Sequence, residues 1–368
     1  MAALHINARF LTQRASGTQR YAEEILNALD QQADGWPQAQ HMIAWVPPGE
    51  YRQPAWKNIE LRTGGKGHGH VWEQASLPLL SHDGWLLNLV SSGPLVHPRQ
   101  IITLHDAAIF SQPQNFSRAY GAFHRTLRPR LAARARQICT VSEFSKNALA
   151  KAMNIDAAKF AVVPNGSDHL LRIAPAPQAL AQRGLEAGKY ILFVGNRAPH
   201  KNFRTAMEAF AALARPELLL VTVGIGRADI FGADICDDGP AVRHLADVSD
   251  AELRSLYEHA ALLLFPSRYE GFGIPPLEAM SLGCPVVASS AAAIPEVVGD
   301  AALIVHPDDA QAMKLAIESI LDDPGVRASL VRKGHDRALQ FSWAEAGRKL
   351  RRTLDRAMEP TSPLKVAA

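Results

Sequence analysis

A chain of 368 residues is longer than one ordinary core organises and fits two domains. It is 47% hydrophobic and 20% charged, and its net charge is only +3, from 39 basic and 36 acidic residues, which describes a soluble globular protein and gives no case for nucleic acid. Cys139, Cys236 and Cys284 stand alone, so there is no disulfide or zinc framework, and no apolar run approaches the roughly 20 residues of a membrane span. The first ten residues read as a strand rather than a secretion signal, so a cytoplasmic location is expected.

The first half alternates strand and helix signals. Residues 4–8 form a strand candidate, Ser16-Gly17-Thr18 a turn that starts a helix, and 21–29 an amphipathic helix. Residues 42–46 and 84–90 are further strands. The Gly/His stretch near 64–70, with His68 and His70, reads as a mobile loop, because no carboxylate or cysteine stands at ligand spacing. Residues 101–104 form a short strand that stops at His105-Asp106. Between Ala107 and Ser142 there is no acidic residue, whereas Arg118, Arg125, Arg128, Arg130, Arg134 and Arg136 alternate with Phe116, Tyr120, Phe123 and Leu127. That pattern is a basic amphipathic helix, either a solvated face over a core or a surface drawn to anionic lipid. Residues 137–141 form a strand, Ser142 a helix cap, and 160–163 a strand that closes the series at Pro164-Asn165-Gly166.

A second series follows the Pro/Ala-rich linker at 173–178. Strands are expected at 190–194, 218–223, 261–265, 285–288 and 303–305, and helices at 203–213, 251–260, 277–282 and 310–321, with a basic amphipathic helix at 343–358. Repeated strand–helix alternation makes parallel sheets covered on both faces, an α/β class with two Rossmann-like, doubly wound domains facing a cleft. The expected boundaries are 1–172 and 173–343, with the last helix, about 344–360, crossing back to the first domain. Such sheets bind ligands beyond the carboxyl ends of their strands, so the loops after strands carry the chemistry.

Three of those loops stand out. Arg268-Tyr269-Glu270-Gly271-Phe272-Gly273-Ile274-Pro275-Pro276-Leu277-Glu278 places two carboxylates eight residues apart at a strand–loop–helix corner. A carboxylate grips vicinal hydroxyls with two oxygens, an anion near a helix start is favoured by the macrodipole, and glycines let backbone N–H groups approach a ligand. After residues 190–194 comes Gly195-Asn196-Arg197-Ala198-Pro199-His200-Lys201-Asn202, where a basic side chain suits a pyrophosphate. At His105-Asp106 the aspartate either orients the imidazole or caps the next turn.

Together these blocks resemble the retaining glycosyltransferases of family 4, whose signature is a glutamate, seven residues and a second glutamate, here Glu270 and Glu278. The resemblance runs from Gly17 to Phe341-Ser342-Trp343 and implies the two-domain B-type fold, with the nucleotide on the second domain and the acceptor on the first. It makes Glu278 the ribose ligand, and Glu270 the carboxylate near the donor sugar and the reacting centre. Lys201 becomes the phosphate ligand, and His105 a contact to the donor sugar from the first domain. Gly271, Phe272, Gly273 and Ile274 line the donor, and Gly17 faces the donor phosphate or the acceptor. Asn196 stands where the family often has arginine, and Arg197, one residue later, is its candidate replacement. The base is expected at Gly224 to Arg227 and at Asp247-Val248-Ser249. Val71-Trp72-Glu73-Gln74 and 88–94 are acceptor-side candidates, and Arg118, Arg125 and Arg128 candidates for acceptor or membrane contact. Neither a metal nor a cofactor is expected. The likeness to bacterial mannosyl and rhamnosyl transferases of exopolysaccharide and O-antigen favours GDP-mannose or a related GDP-hexose, with a UDP-sugar as the alternative, and a lipid-linked saccharide or polysaccharide as acceptor. An epimerase of the same architecture and a non-catalytic nucleotide-sugar sensor are the rival readings.

Overall fold

The computed structural model describes residues 3–14, 16–37, 41–224 and 239–359. Cys236 and the Gly224 to Arg227 loop beyond Gly224 lie outside the described residues. Short apolar runs make two all-parallel sheets. The first contains β1 (Leu4–Asn7), β2 (Met42–Val46), β3 (Ile59–Thr63), β4 (Trp85–Asn88), β5 (Gln100–Thr103), β6 (Gln137–Thr140) and β7 (Phe160–Val162), in the order β3-β2-β1-β4-β5-β6-β7. The second contains β8 (Tyr190–Val194), β9 (Leu219–Val223), β10 (Val242–Leu245), β11 (Leu262–Phe265), β12 (Val286–Ser289) and β13 (Leu303–Val305), in the order β10-β9-β8-β11-β12-β13. β11 and β12 are buried along their whole length and read as nearly continuous apolar runs, whereas β1, equally buried, alternates Leu4 and Ile6 with His5 and Asn7. In each sheet the chain winds outward from its first strand and then returns to that strand's other side. The winding direction therefore reverses between β1 and β4, and between β8 and β11. A crevice opens at such a reversal, outside the carboxyl ends of the strands.

The first sheet carries α1 (Gly17–Gln31), α2 (Gly69–Ala75), α3 (Leu77–Leu80), α4 (Ala108–Ser111), α5 (Arg118–Arg134) and α6 (Glu143–Met153). The second carries α7 (Ala179–Gln182), α8 (Phe203–Ala212), α9 (Asp250–His259), α10 (Ile274–Ser281), α11 (Ile294–Val298), α12 (Ala310–Asp322) and α13 (Pro324–Ala338). The doubly wound α/β expectation holds. Two corrections concern the site. The stretch expected to be a loop near 64–70 runs into α2, which begins at Gly69. And α10 starts three residues before the expected helix, with prolines in its first turn, where their missing N–H costs nothing.

The final helix, α14 (Trp343–Met358), leaves the second sheet and packs on α1. Gly347 sits so close to α1 that a Cβ there would lie 2.9 Å from the Ala28 Cβ. Trp36 Nε1 donates to Asp355 at 2.8 Å, and Arg136 Nε to the Ala357 carbonyl at 3.3 Å. The chain thus passes between the two units twice, and the two passages are tied together. Ser167 N donates to the Phe341 carbonyl at 2.9 Å, and Trp343 N to Asp168 Oδ1 at 2.8 Å.

Candidate functional site

The loops after β8 and β11 meet at the second winding reversal. Lys201 Nζ lies 2.7 Å from Glu270 Oε1, with both side chains more than four-fifths buried, and 5.7 Å from the centre of the Phe265 ring. The loop that delivers Lys201 is pinned by Asn202. This residue has a left-handed backbone (φ +59), donates to the carbonyls of Pro266 and Pro307, and accepts from Thr205 Oγ1 at 2.8 Å. Gly224, at φ +88, closes against the Gly195 backbone, where a Cβ would stand 3.5 Å away. Gly273, at φ +96, caps α10.

Glu278 departs from its expected place at a helix start. It is the fifth residue of α10 and is buried, so side chains rather than the macrodipole set its environment. Tyr257 Oη donates to its Oε2 at 2.8 Å. His169 Nε2 lies 3.0 Å from its Oε1, at an angle outside that of a formed hydrogen bond. Trp343 Nε1 donates to His169 Nδ1 at 3.2 Å, so the passage between the units touches this carboxylate's surroundings. The arginine question also resolves into contacts. Arg197 places its guanidinium 3.2 Å from His244 Nε2 and 5.2 Å from the Phe203 ring centre, on the β10 side of the sheet, and is not brought to the Lys201–Glu270 pair. Asn196 Oδ1 accepts from Ala198 N at 3.1 Å and shapes the loop.

From the first unit, His105 follows β5. Its Nε2 is 2.8 Å from the Leu89 carbonyl and therefore carries the proton, which leaves Nδ1 as an acceptor. The ring stands edge-on to Tyr21, centres 4.9 Å apart, and burial pushes its pKa down, so the imidazole is neutral. Asp106 caps the next turn by accepting from Ala108 N at 2.8 Å, and does not orient the imidazole.

The two units touch across the cleft at this point. Ser142 Oγ donates to the Gly271 carbonyl at 2.6 Å, and Ser145 Oγ lies 2.9 Å from the carbonyls of both Gly271 and His105. A Cβ on Gly271 would meet the His105 carbonyl oxygen at 2.5 Å. On the same side, Glu296 of α11 accepts from the N–H groups of Glu143 at 2.8 Å and Phe144 at 2.9 Å, so a carboxylate of one unit satisfies the open N-terminus of a helix in the other. Arg20 reaches Asp250 at 2.5 Å, and Asn115 reaches His200 at 3.2 Å. Sequence reading gave Ser142 a capping role only and missed Glu296. The sequence carries no local sign of a partner 153 positions away.

Gly17 is the exposed first residue of α1, with nothing near its missing side chain. Arg118 and Arg125 are exposed on α5. Arg128 is not: it is 7% exposed, and its Nη1 lies 3.4 Å from the Asp106 carbonyl, so a membrane role is ruled out for it by burial. One helical turn before it, His124 is 3% exposed and its ring nitrogens have no hydrogen-bond partner among the described residues. Burial first, and the Arg128 charge next, push its pKa from 6.5 down to about 4, with His70 and Arg9 acting in the same direction and Glu73 opposing. Between those values the unfolded chain takes up a proton that the folded chain refuses, so stability falls as the pH drops from 6.5 towards 4. Burial moves His5, His97, His105 and His200 the same way. Melting temperature measured across this range is therefore expected to fall on acidification, with a shallower slope in His124→Phe. An identical slope would show that His124 titrates normally.

Comparison with known proteins decides the family. Residues 178–337 match the model described as glycosyl transferases group 1, and residues 81–169 match that of glycosyltransferase family 4. The chain is 34% identical over 257 residues to O-antigen chain mannosyltransferase B of Escherichia coli, covering 67% of each chain. The chain belongs to the family 4 glycosyltransferases. This glycosyltransferase is also 32% identical over 232 residues to the O-antigen chain mannosyltransferase RfbU of Salmonella typhimurium, covering 60% of each. Its fold matches that of the Anabaena HepE protein solved in complex with UDP and glucose, with a TM-score of 0.71 and 18% identity over 96% of this chain and 99% of that one. Two parallel-sheet units facing a cleft are the B-type glycosyltransferase arrangement, and the protein is a hexosyltransferase.

Proposed function

We propose that this glycosyltransferase moves a mannosyl or related hexosyl group from a GDP-sugar to a hydroxyl of a lipid-linked saccharide or polysaccharide, with retention at the anomeric carbon, in cell-surface glycan synthesis. The observation that carries the reading is the Lys201–Glu270 pair at the mouth of the β8/β11 crevice, with His105 held against the Glu270 loop from the other unit. The names of the two O-antigen relatives support the mannosyl choice. In the reaction the bond from the anomeric carbon to the diphosphate oxygen breaks, a bond to the acceptor oxygen forms, and the acceptor proton passes to the leaving phosphate. Lys201 offsets the charge that grows on that phosphate, in a site where fixed charges act strongly because water is excluded. No metal is required. Glu278, held by Tyr257 on one oxygen and flanked by His169 at the other, is the group that grips the ribose. The domain spanning 173–343 holds the nucleotide, and the one spanning 1–172 the acceptor.

Among the described residues no helix is long and apolar enough to cross a membrane. The exposed α5 residues Arg118, Arg125, Arg130 and Arg134, in a stretch without acidic residues, support attraction of the lipid carrier to the first unit at the cytoplasmic face of a membrane.

A thermal-shift comparison of GDP, UDP, ADP and dTDP tests the donor. GDP is expected to give the largest upward shift. A larger shift with UDP would replace the GDP reading by the UDP-sugar one, and no shift with any would sink the donor site. Glu278→Ala is expected to weaken nucleotide binding by about 10- to 100-fold, the value of hydrogen bonds to a charged group. Glu278→Gln, which keeps an oxygen for Tyr257, should lose less. Unchanged affinity in both would remove the ribose assignment.

A further inference from the structure

The first unit holds a polar cluster beyond the carboxyl end of β1, apart from the Lys201 and Glu270 loops of the second unit. Glu73 of α2 is fully buried. Its Oε1 accepts from Asn7 Nδ2 at 2.8 Å, Arg9 Nε at 3.2 Å and Ser92 Oγ at 2.9 Å, and its Oε2 lies 2.9 Å from His70 Nδ1. These bonds, and the Arg9 charge beside it, keep Glu73 ionised despite burial. Glu73 therefore takes the Nδ1 proton of the His70 ring, a tautomer whose lone pair is on Nε2, on a side chain that is 34% exposed. The ring leans on Phe123, centres 4.8 Å apart, and on His124, 5.4 Å apart; Tyr120 lies 4.2 Å from His124. Phe123 and Tyr120 are 40% and 44% exposed. His124 is almost wholly buried, yet neither ring nitrogen has a partner among the described residues. A buried polar group left unpaired costs stability, and a ligand that pairs it recovers that cost. From His124 the next turn of α5 brings Arg128 to the Asp106 carbonyl, so the cluster adjoins the His105 end of the cleft.

We propose that this cluster seats the terminal sugar of the acceptor: a neutral pyranose with one hydroxyl donating to His70 Nε2, a second partnering the His124 ring, and its apolar face on Phe123. The inference rests on glycosyl transfer to a saccharide, as proposed above, and adds which side chains hold it. A sugar fits better than a phosphate. His70 is set by Glu73 to accept a hydrogen bond, and a phosphate dianion has none to give. The arginines beside the cluster are engaged by the protein: Arg9 bonds Glu73 and Ser92, and Arg128 has its Nη1 turned to the Asp106 carbonyl. Exposed aromatic rings beside a hydrogen-bond acceptor match a pyranose, which has C–H groups on its face and hydroxyls at its rim.

The test uses the full chain and saturation-transfer NMR with the methyl glycosides of mannose, rhamnose, glucose, galactose and N-acetylglucosamine as probes. At least one is expected to bind the wild type, and to bind about tenfold more weakly to His70→Ala and Phe123→Ala, the loss of about one hydrogen bond or ring contact. His70→Gln, whose amide oxygen can accept, should recover part of the loss. Nucleotide diphosphate affinity should stay at the wild-type value in the Phe123 and His70 variants, and so should the melting temperature of Phe123→Ala, which a merely structural role would not leave unchanged; His70→Ala also takes the partner from buried Glu73 Oε2 and should melt lower. No binding of any glycoside, equal binding in both alanine variants, or displacement of the glycoside by inorganic phosphate would overturn the inference. If the wild type binds no nucleotide diphosphate, the donor reading fails instead.

Discussion

Lys201→Ala is expected to lower turnover by about 10²- to 10³-fold, the cost of removing one fixed group that stabilises charge developing in the transition state. The argument begins from burial. Lys201 and Glu270 are each more than four-fifths removed from water and 2.7 Å apart. An ion pair there persists because each partner neutralises the other. A diphosphate entering the crevice competes with Glu270 for the ammonium, and as the sugar leaves, its growing charge strengthens that competition. The alanine variant loses this and also leaves Glu270 without its counter-charge, repelling the phosphate. Lys201→Arg keeps the charge but not the reach, so an intermediate loss is expected. Lys201→Ala combined with Glu270→Ala removes the repulsion and should not restore turnover. Steady-state kinetics on variants with unchanged melting temperature settles the matter, and turnover near wild type in Lys201→Ala would end the role given to it.

Gly271→Ala is the second large effect, and its cause is steric. The added Cβ would lie 2.5 Å from the His105 carbonyl oxygen and 2.9 Å from the Asp106 Cβ, too close for either to remain in place. Both obstacles belong to the other unit, and one is backbone. The variant must therefore separate the units where Ser142 and Ser145 hold the Gly271 carbonyl. A misplacement of about 1 Å between reacting groups can cost about 10²-fold in rate, and a loss of that order in kcat is expected. Nucleotide affinity should change much less, because the nearest atoms the added methyl meets belong to the first unit and not to the donor loops. Solution scattering should show a more open molecule. Normal kcat in Gly271→Ala would mean that the contact seen here is absent when the sugar transfers.

The sequence disclosed those parts that depend on neighbours along the chain. Buried central strands such as 190–194 and 262–265 are uninterrupted apolar runs, and Ser142 announces its helix because a cap is a local bond. β3 and β10 escaped notice because they are sheet edges, where Glu60, Arg62 and Arg243 interrupt the apolar pattern as edge strands require. The start of α2 was hidden by Gly65, Gly67 and Gly69, all at positive φ, so His70 looked like part of a loop. Glu270, Glu278, Lys201 and His105 were readable as residues that follow strands. What those residues touch was not. The grip of Glu296 on α6, the pull of His244 on Arg197 and the inward turn of Arg128 depend on how distant segments dock, and no spacing rule encodes that.

The double passage of the chain between the units has a mechanical consequence. A single tether would let two bodies swivel and twist freely. Here the tethers at Ser167–His169 and Phe341–Trp343 are bonded side by side, and Gly166 is pressed against the Trp343 backbone with no room for a side chain. Two joined tethers behave as the pin of a door: rotation about one axis stays cheap, while torsion and sliding are resisted. Each swing then returns Gly271 to the same spot on His105, so registry at the reacting end is set by this pin.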